Sequence, residues 1–109
     1  MMFAMNRDVT PTPCGDGVSR KILGMGGSLM MVEVTFRKGG VGDVHAHPHE
    51  QVSYIAKGSF EFTLNGETKV VSVGDSIYIP SNAPHGTVAL EDSVIVDVFS
   101  PVREDFLGK

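Results

Sequence analysis

HAHPHEQVSYIAKGSFEFTLNG, residues 45–66, carries the patterns that decide the fold. Its histidines stand on alternate positions, and side chains two apart on a strand share one face. Val52 to Ala56 then reads as a strand ending at Lys57-Gly58. Phe60, Phe62 and Leu64 alternate with Glu61 and Thr63 as far as Asn65-Gly66, a strong signal for a tight hairpin. Lys69 to Val73 returns from that hairpin, and Gly74-Asp75 turns the chain into Ser76–Pro80.

Working outward, the period of two persists. Upstream, Leu29 to Arg37 puts Val32, Val34 and Phe36 on one face and Met31, Glu33 and Thr35 on the other. Gly39, Gly40 and Gly42 form a loop leading into the histidines. Downstream, Asn82-Ala83-Pro84 makes a turn just before His85, and Val94 to Phe99 is the last clear strand. The closing VREDFLGK reads as a short turn or half-helix. Residues 1–17, broken by Pro11, Pro13, Gly15 and Gly17, read as an irregular arm ahead of one domain over 18–109. Short strands joined by tight turns predict an all-β fold, an antiparallel sandwich or closed barrel.

Bulk properties narrow the function. The 109 residues suffice for one domain, and 41% hydrophobic with 20% charged residues is ordinary for a folded soluble protein. The net charge of −4 and the small basic pairs Arg20-Lys21 and Arg37-Lys38 argue against a nucleic-acid partner. No apolar run approaches the ~18 residues of a membrane span, and Asn6, Arg7 and Asp8 interrupt the apolar start, so no membrane partner and a cytoplasmic location are expected. The single cysteine, Cys14, cannot form an internal disulfide and has no activating neighbour in sequence.

His45 and His47 can chelate one ion from a shared strand face, although the pair alone is equally compatible with surface histidines. In the last strand Asp97 lies between Ile95 and Phe99, where a carboxylate is costly unless it is paired or functional. It reads either as an exposed edge residue or as an acid/base group facing a cavity with Phe99 beside it. Arg103 follows four residues after Phe99, placed to grip a carboxylate or to lie solvated near Glu104 and Asp105.

The spacing around the histidines resembles the cupin superfamily. Gly39, five residues, His45-Ala46-His47, three residues, Gln51, six residues and Gly58 match its first motif, except that glutamate is usual where Gln51 stands. Gly74, five residues, Pro80 and then His85 match the second, with Asn82 in place of a frequent glycine and Ala89 in place of a frequent asparagine. The resemblance implies a small double-stranded β-helix, or jelly-roll, barrel. It also implies one divalent transition metal (Zn, Ni, Mn or Fe) held by His45, His47, Gln51 and His85. Parity agrees, since an unbroken extended path keeps 45, 47 and 51 on one face and turns Glu50 away. His49 is then expected at the mouth of the site or behind the ligands.

More narrowly, RKIL, LMMVEVTF, HAHPHEQVSYIAKGSFEF, GDSIYIP, PHG, ALED and DVFSPVREDFL are similar to the KdgF-type pectin-degradation cupins, and Gln51 belongs to that pattern. The resemblance implies conversion of 4,5-unsaturated monouronates to a linear 5-keto form, with Asp97, Phe99 and Arg103 as the functional trio and a small anionic sugar acid as partner. Three imidazoles and an amide would leave a divalent ion its full double charge, which favours an anionic oxygen ligand. An iron-dependent dioxygenase and a non-catalytic sugar-binding protein are the alternative readings. Apolar strands with no helix to cover them suggest a homodimer.

Overall fold

The computed structural model describes residues 2–108. In chain order the strands are β1 (Thr12–Gly15), β2 (Val18–Gly26), β3 (Leu29–Phe36), β4 (Val41–His45), β5 (Glu50–Lys57), β6 (Ser59–Leu64), β7 (Glu67–Ser72), β8 (Ser76–Ile79), β9 (His85–Ala89) and β10 (Ser93–Ser100). Short 3-10 turns cover Asn6–Asp8 and Glu104–Leu107. A six-stranded sheet runs β1-β2-β3-β10-β5-β8 and a four-stranded sheet β4-β9-β6-β7. The pairings are antiparallel throughout. This is the expected double-sheet barrel.

Alternation in the sequence becomes burial. Along β5, Gln51, Ser53 and Ile55 are buried while Val52, Tyr54 and Ala56 are exposed. The core joins the two inner faces: Phe36, Ile55, Ile79 and Ile95 of the larger sheet pack against Phe60, Phe62 and Ala89 of the smaller. Phe36 and Phe60 meet edge to face with ring centres 5.1 Å apart, a favoured geometry for such a pair. A second apolar cluster gathers Met30, Val32 and Phe99.

The motif turns have local causes. Asn65 and Gly66 both have positive φ, 51° and 80°, as a two-residue hairpin of the type I′ kind requires. Gly58 also has a positive φ, and a Cβ there would lie 2.0 Å from the Ser93 hydroxyl, which accepts the Ser59 N–H. Asn82, standing where cupins often have glycine, holds φ at 64°, a conformation that asparagine tolerates better than most residues.

Two expectations change. Residues 12–15 of the supposedly irregular arm form β1, which pairs with β2 at the edge of the larger sheet. Pro13 is acceptable there because an edge strand leaves one side of its backbone unpaired. The extended path assumed between His45 and Gln51 is also broken, since residues 46–49 are not strand and carry the chain from one sheet to the other. Motif spacing named Gln51 and parity agreed, but the crossing between sheets is what positions it.

In the larger sheet, cross-strand pairing lines up three inner rows. Arg20, Val34, Ile95 and Ile55 form one; Ile22, Val32, Asp97 and Ser53 the next; Met30, Phe99, Gln51 and Ile79 the third. The middle row thus sets Asp97 beside Ser53, and the third carries Gln51 and Phe99 toward the histidines.

Candidate metal centre

His45 closes β4 and His85 opens β9, and the two are cross-strand partners. His47 follows in the crossing and is buried. One nitrogen from each of the three rings lies within 4.8 Å of the others, so the histidines are positioned to bind a metal ion. Each Nδ1 faces a backbone carbonyl: His45 that of Asp43 at 2.9 Å, His47 that of His49 at 3.1 Å, and His85 that of Ala83 at 2.9 Å. A carbonyl only accepts, so each Nδ1 holds the proton and each Nε2 keeps a free lone pair, as a ligating imidazole must. Burial, above all, pushes the imidazoles of His47 and His85 below their usual range, which keeps both neutral and ready to ligate. The Nε2 of His85 is buried without a hydrogen-bond partner.

Gln51 reaches the cluster from the opposite sheet. Its Oε1 lies 2.9 Å from His47 Nε2. The orientation of its amide follows from its neighbours: Gln51 Nε2 donates to Ser53 Oγ at 2.9 Å, and Ser53 Oγ donates to Asp97 Oδ1 at 2.6 Å. With the serine proton committed to the carboxylate, Ser53 can only accept from the amide, so Oε1 must face the histidine. Two acceptors then confront each other at hydrogen-bond distance with no proton between them. A cation shared by both lone pairs removes that repulsion, and the donor set of imidazole nitrogens and an amide oxygen suits a divalent transition ion.

Asp97 faces inward between the sheets, cross-strand from Ser53 and Val32. Burial raises its carboxyl from 3.8 to about 6, against the opposing effect of the Ser53 and Gln51 hydrogen bonds and of the Arg103 charge. Phe99 is buried and packs edge-on to His47, with ring centres 5.7 Å apart. Arg103 lies 5.0 Å over the Phe99 ring, and Asp105 holds its Nε and Nη2 at 3.1 and 2.9 Å. A cavity of about 590 Å³ is lined by His45, His85, Gln51, Asp97, Phe99 and Arg103, among others. The residues singled out in the sequence therefore meet at one place, His47 touching it through Gln51 and Phe99.

Residues 32–99 match the cupin domain family. The chain is a cupin. It is 47% identical over 103 residues to the pectin degradation protein KdgF of Dickeya dadantii (strain 3937), covering 92% of this chain and 94% of that one. The structure of KdgF from a Halomonas species superposes with a TM-score of 0.92 at 40% identity, over 95% of this chain and 96% of the other. An RmlC-like cupin from Shewanella frigidimarina NCIMB 400 gives 0.93 at 40% identity, over 97% and 96%. A polyketide cyclase, RemF of Streptomyces resistomycificus, shares the cupin fold at 24% identity and a TM-score of 0.76.

In this cupin Glu50 faces outward, as expected, and accepts a hydrogen bond from the Tyr78 hydroxyl. His49 stands edge-on to His47 at 5.4 Å, and its carbonyl fixes the His47 tautomer. Ser53, which joins Gln51 to Asp97, went unremarked in the sequence although it shares the parity of Gln51. Arg20 and Phe106 also line the cavity without having been singled out. Arg20 shares the inner parity of Val18 and Ile22, a signal that was present. The hold of Asp105 on Arg103 has no sequence signature beyond proximity. Among the described residues no helix is long and apolar enough to cross a membrane.

Proposed function

We propose that this cupin opens 4,5-unsaturated monouronates, released from pectin or alginate, to the linear 5-keto-4-deoxyuronate. Similarity to KdgF proteins at 40 to 47% identity supports the reading. The observation that carries it is the hydrogen-bonded chain Asp97–Ser53–Gln51, which ties a cavity carboxylate to the histidine cluster.

In this reading His45, His47, Gln51 through Oε1, and His85 hold one divalent transition ion. When bound, it supplies a full double charge that polarises sugar oxygens and draws an anionic substrate. The proton work falls to Asp97. Its ionised carboxylate takes the proton of the O1 hydroxyl as the C1–O5 bond breaks, leaving an aldehyde at C1 and the electron pair on O5. The resulting enolate becomes a ketone at C5 as Asp97 returns that proton to C4. Protons and electrons balance with no oxidant, so the reaction needs no oxygen. A carboxyl held near 6 suits both halves, being ionised at neutral pH yet a better acceptor than an ordinary aspartate. Ser53 holds the carboxylate in place. Phe99 walls the site against water, and Arg103 contributes positive charge toward the sugar carboxylate.

Purified protein incubated with freshly released unsaturated galacturonate tests the proposal by loss of conjugated ultraviolet absorbance. The expected rate exceeds the spontaneous one, falls with chelator and is unchanged without oxygen. A rate equal to the spontaneous one refutes the reading, and an oxygen-dependent rate favours a dioxygenase. The exposed apolar outer face, including Met31, Val52 and Tyr54, supports pairing of two copies, and sedimentation as a monomer at micromolar concentration contradicts that.

A further inference from the structure

We propose that Arg20 is a second anion anchor of the cavity and takes the substrate carboxylate, with Arg103 in a supporting part. The inference rests on the uronate reading for the identity of the anion, but the cationic site stands on its own geometry.

Arg20 lies on β2 in the inner row with Val34 and Ile95, so its side chain belongs to the space between the sheets and lines the cavity. Its guanidinium sits 3.9 Å over the Phe106 ring, and that of Arg103 sits 4.2 Å from the same ring. One aromatic side chain thus holds two cations at the wall of one cavity. Stacking covers the face of a guanidinium and leaves its in-plane N–H donors free for a planar acceptor.

The two arginines differ in what already holds them. Asp105 occupies Nε and Nη2 of Arg103, the edge that would grip a carboxylate in a fork. Among the described residues no carboxylate forms an ion pair with Arg20. Asp16 and Asp43 also line the cavity, but both are exposed to water, and Asp97 is engaged by Ser53. Arg20 donates a hydrogen bond to the Cys14 thiol, which burial raises despite the arginine, so the thiol engages one donor but offers no competing anion. Arg20 is therefore the guanidinium that no carboxylate holds.

A purely structural part for Arg20, pinning the 104–107 turn through Phe106, is the alternative that the test must separate. Arg20→Gln and Arg20→Lys are assayed on unsaturated galacturonate and on its neutral methyl ester. The expected result for Arg20→Gln is a KM raised about 10- to 100-fold for the acid, kcat within about threefold of wild type, and an unchanged KM for the ester. Arg20→Lys recovers part of the loss. If KM shifts equally for acid and ester, or only kcat falls, Arg20 is structural and the proposal is overturned. Calorimetric binding of saturated D-galacturonate distinguishes this from failure of the uronate reading. Binding that Arg20→Gln weakens at least about tenfold upholds the anchor even if the wild type turns over no uronate. Binding unchanged by Arg20→Gln, or no binding by the wild type, overturns it.

Discussion

Along β5 and β10 the inner face changes character within two residues. Ile55 pairs with Ile95, and both are buried in the apolar core. The next inward pair is Ser53 with Asp97, and the one after it Gln51 with Phe99. The backbone is the same antiparallel ladder in both stretches, so the difference lies wholly in the side chains. Each buried isoleucine stabilises the fold by about 1.5–3 kcal/mol relative to exposure. The carboxyl of Asp97, pushed up to about 6 by burial, opposes it. The same pair of strands thus carries residues that secure the fold and, one step along, a group that weakens it and can do chemistry.

The contrast can be broken from either side. At the polar end, His85→Ala removes one of three convergent imidazoles; bound metal measured by plasma mass spectrometry should fall below about a tenth of wild type and uronate turnover to the spontaneous rate. Full metal occupancy in this variant would sink the assigned ligand set. At the apolar end, Ile55→Ala should cost about 2–5 kcal/mol in urea denaturation, while the molecules that remain folded keep near-normal turnover. A variant that is stable but inactive would show that the two ends are not separable.

Asp97→Asn sharpens the comparison through stability in chelator-treated protein. The folded-state value of about 6 lies above the ordinary 3.8, so the folded protein binds more protons between those values. The penalty is therefore absent below about pH 3.8, grows as pH rises toward about 6, and is complete above it. The asparagine variant should be more stable than wild type by about 1–3 kcal/mol at pH 8, with the gap closing toward pH 4. A gap that is constant with pH would contradict a strained carboxylate. The smallest effect is that of Ser53→Ala, which loses the hydroxyl between Gln51 and Asp97. Turnover should drop about tenfold with metal retained, and an unchanged rate would remove Ser53 from the working site.

Much of this arrangement was legible in the sequence because it is written in local periods. The alternation at Phe60 and Phe62, the Asn65-Gly66 turn and the spacing of His45 and His47 are short-range, and each reappears in the structure. The parity that put Asp97 on one face with Ile95 and Phe99 likewise holds, and of the two readings left open for that face the inward one is found. What was hidden depends on register between distant segments. Ser53 meets Asp97 across 44 residues because β5 and β10 pair as they do, and nothing near either residue announces it. Arg20 and Phe106 come together from opposite ends of the chain. β1 was missed because Thr-Pro-Cys-Gly has weak strand propensity and is held only by its neighbour.

In the proposed reaction the carboxylate of Asp97 moves the proton beside a metal site that does not need it for assembly. Rate and metal content of Asp97→Asn measured on one preparation, with unsaturated galacturonate, test it most directly. The expected result is metal content equal to wild type with turnover lowered about 10²- to 10⁴-fold. Wild-type turnover at full metal content would contradict it.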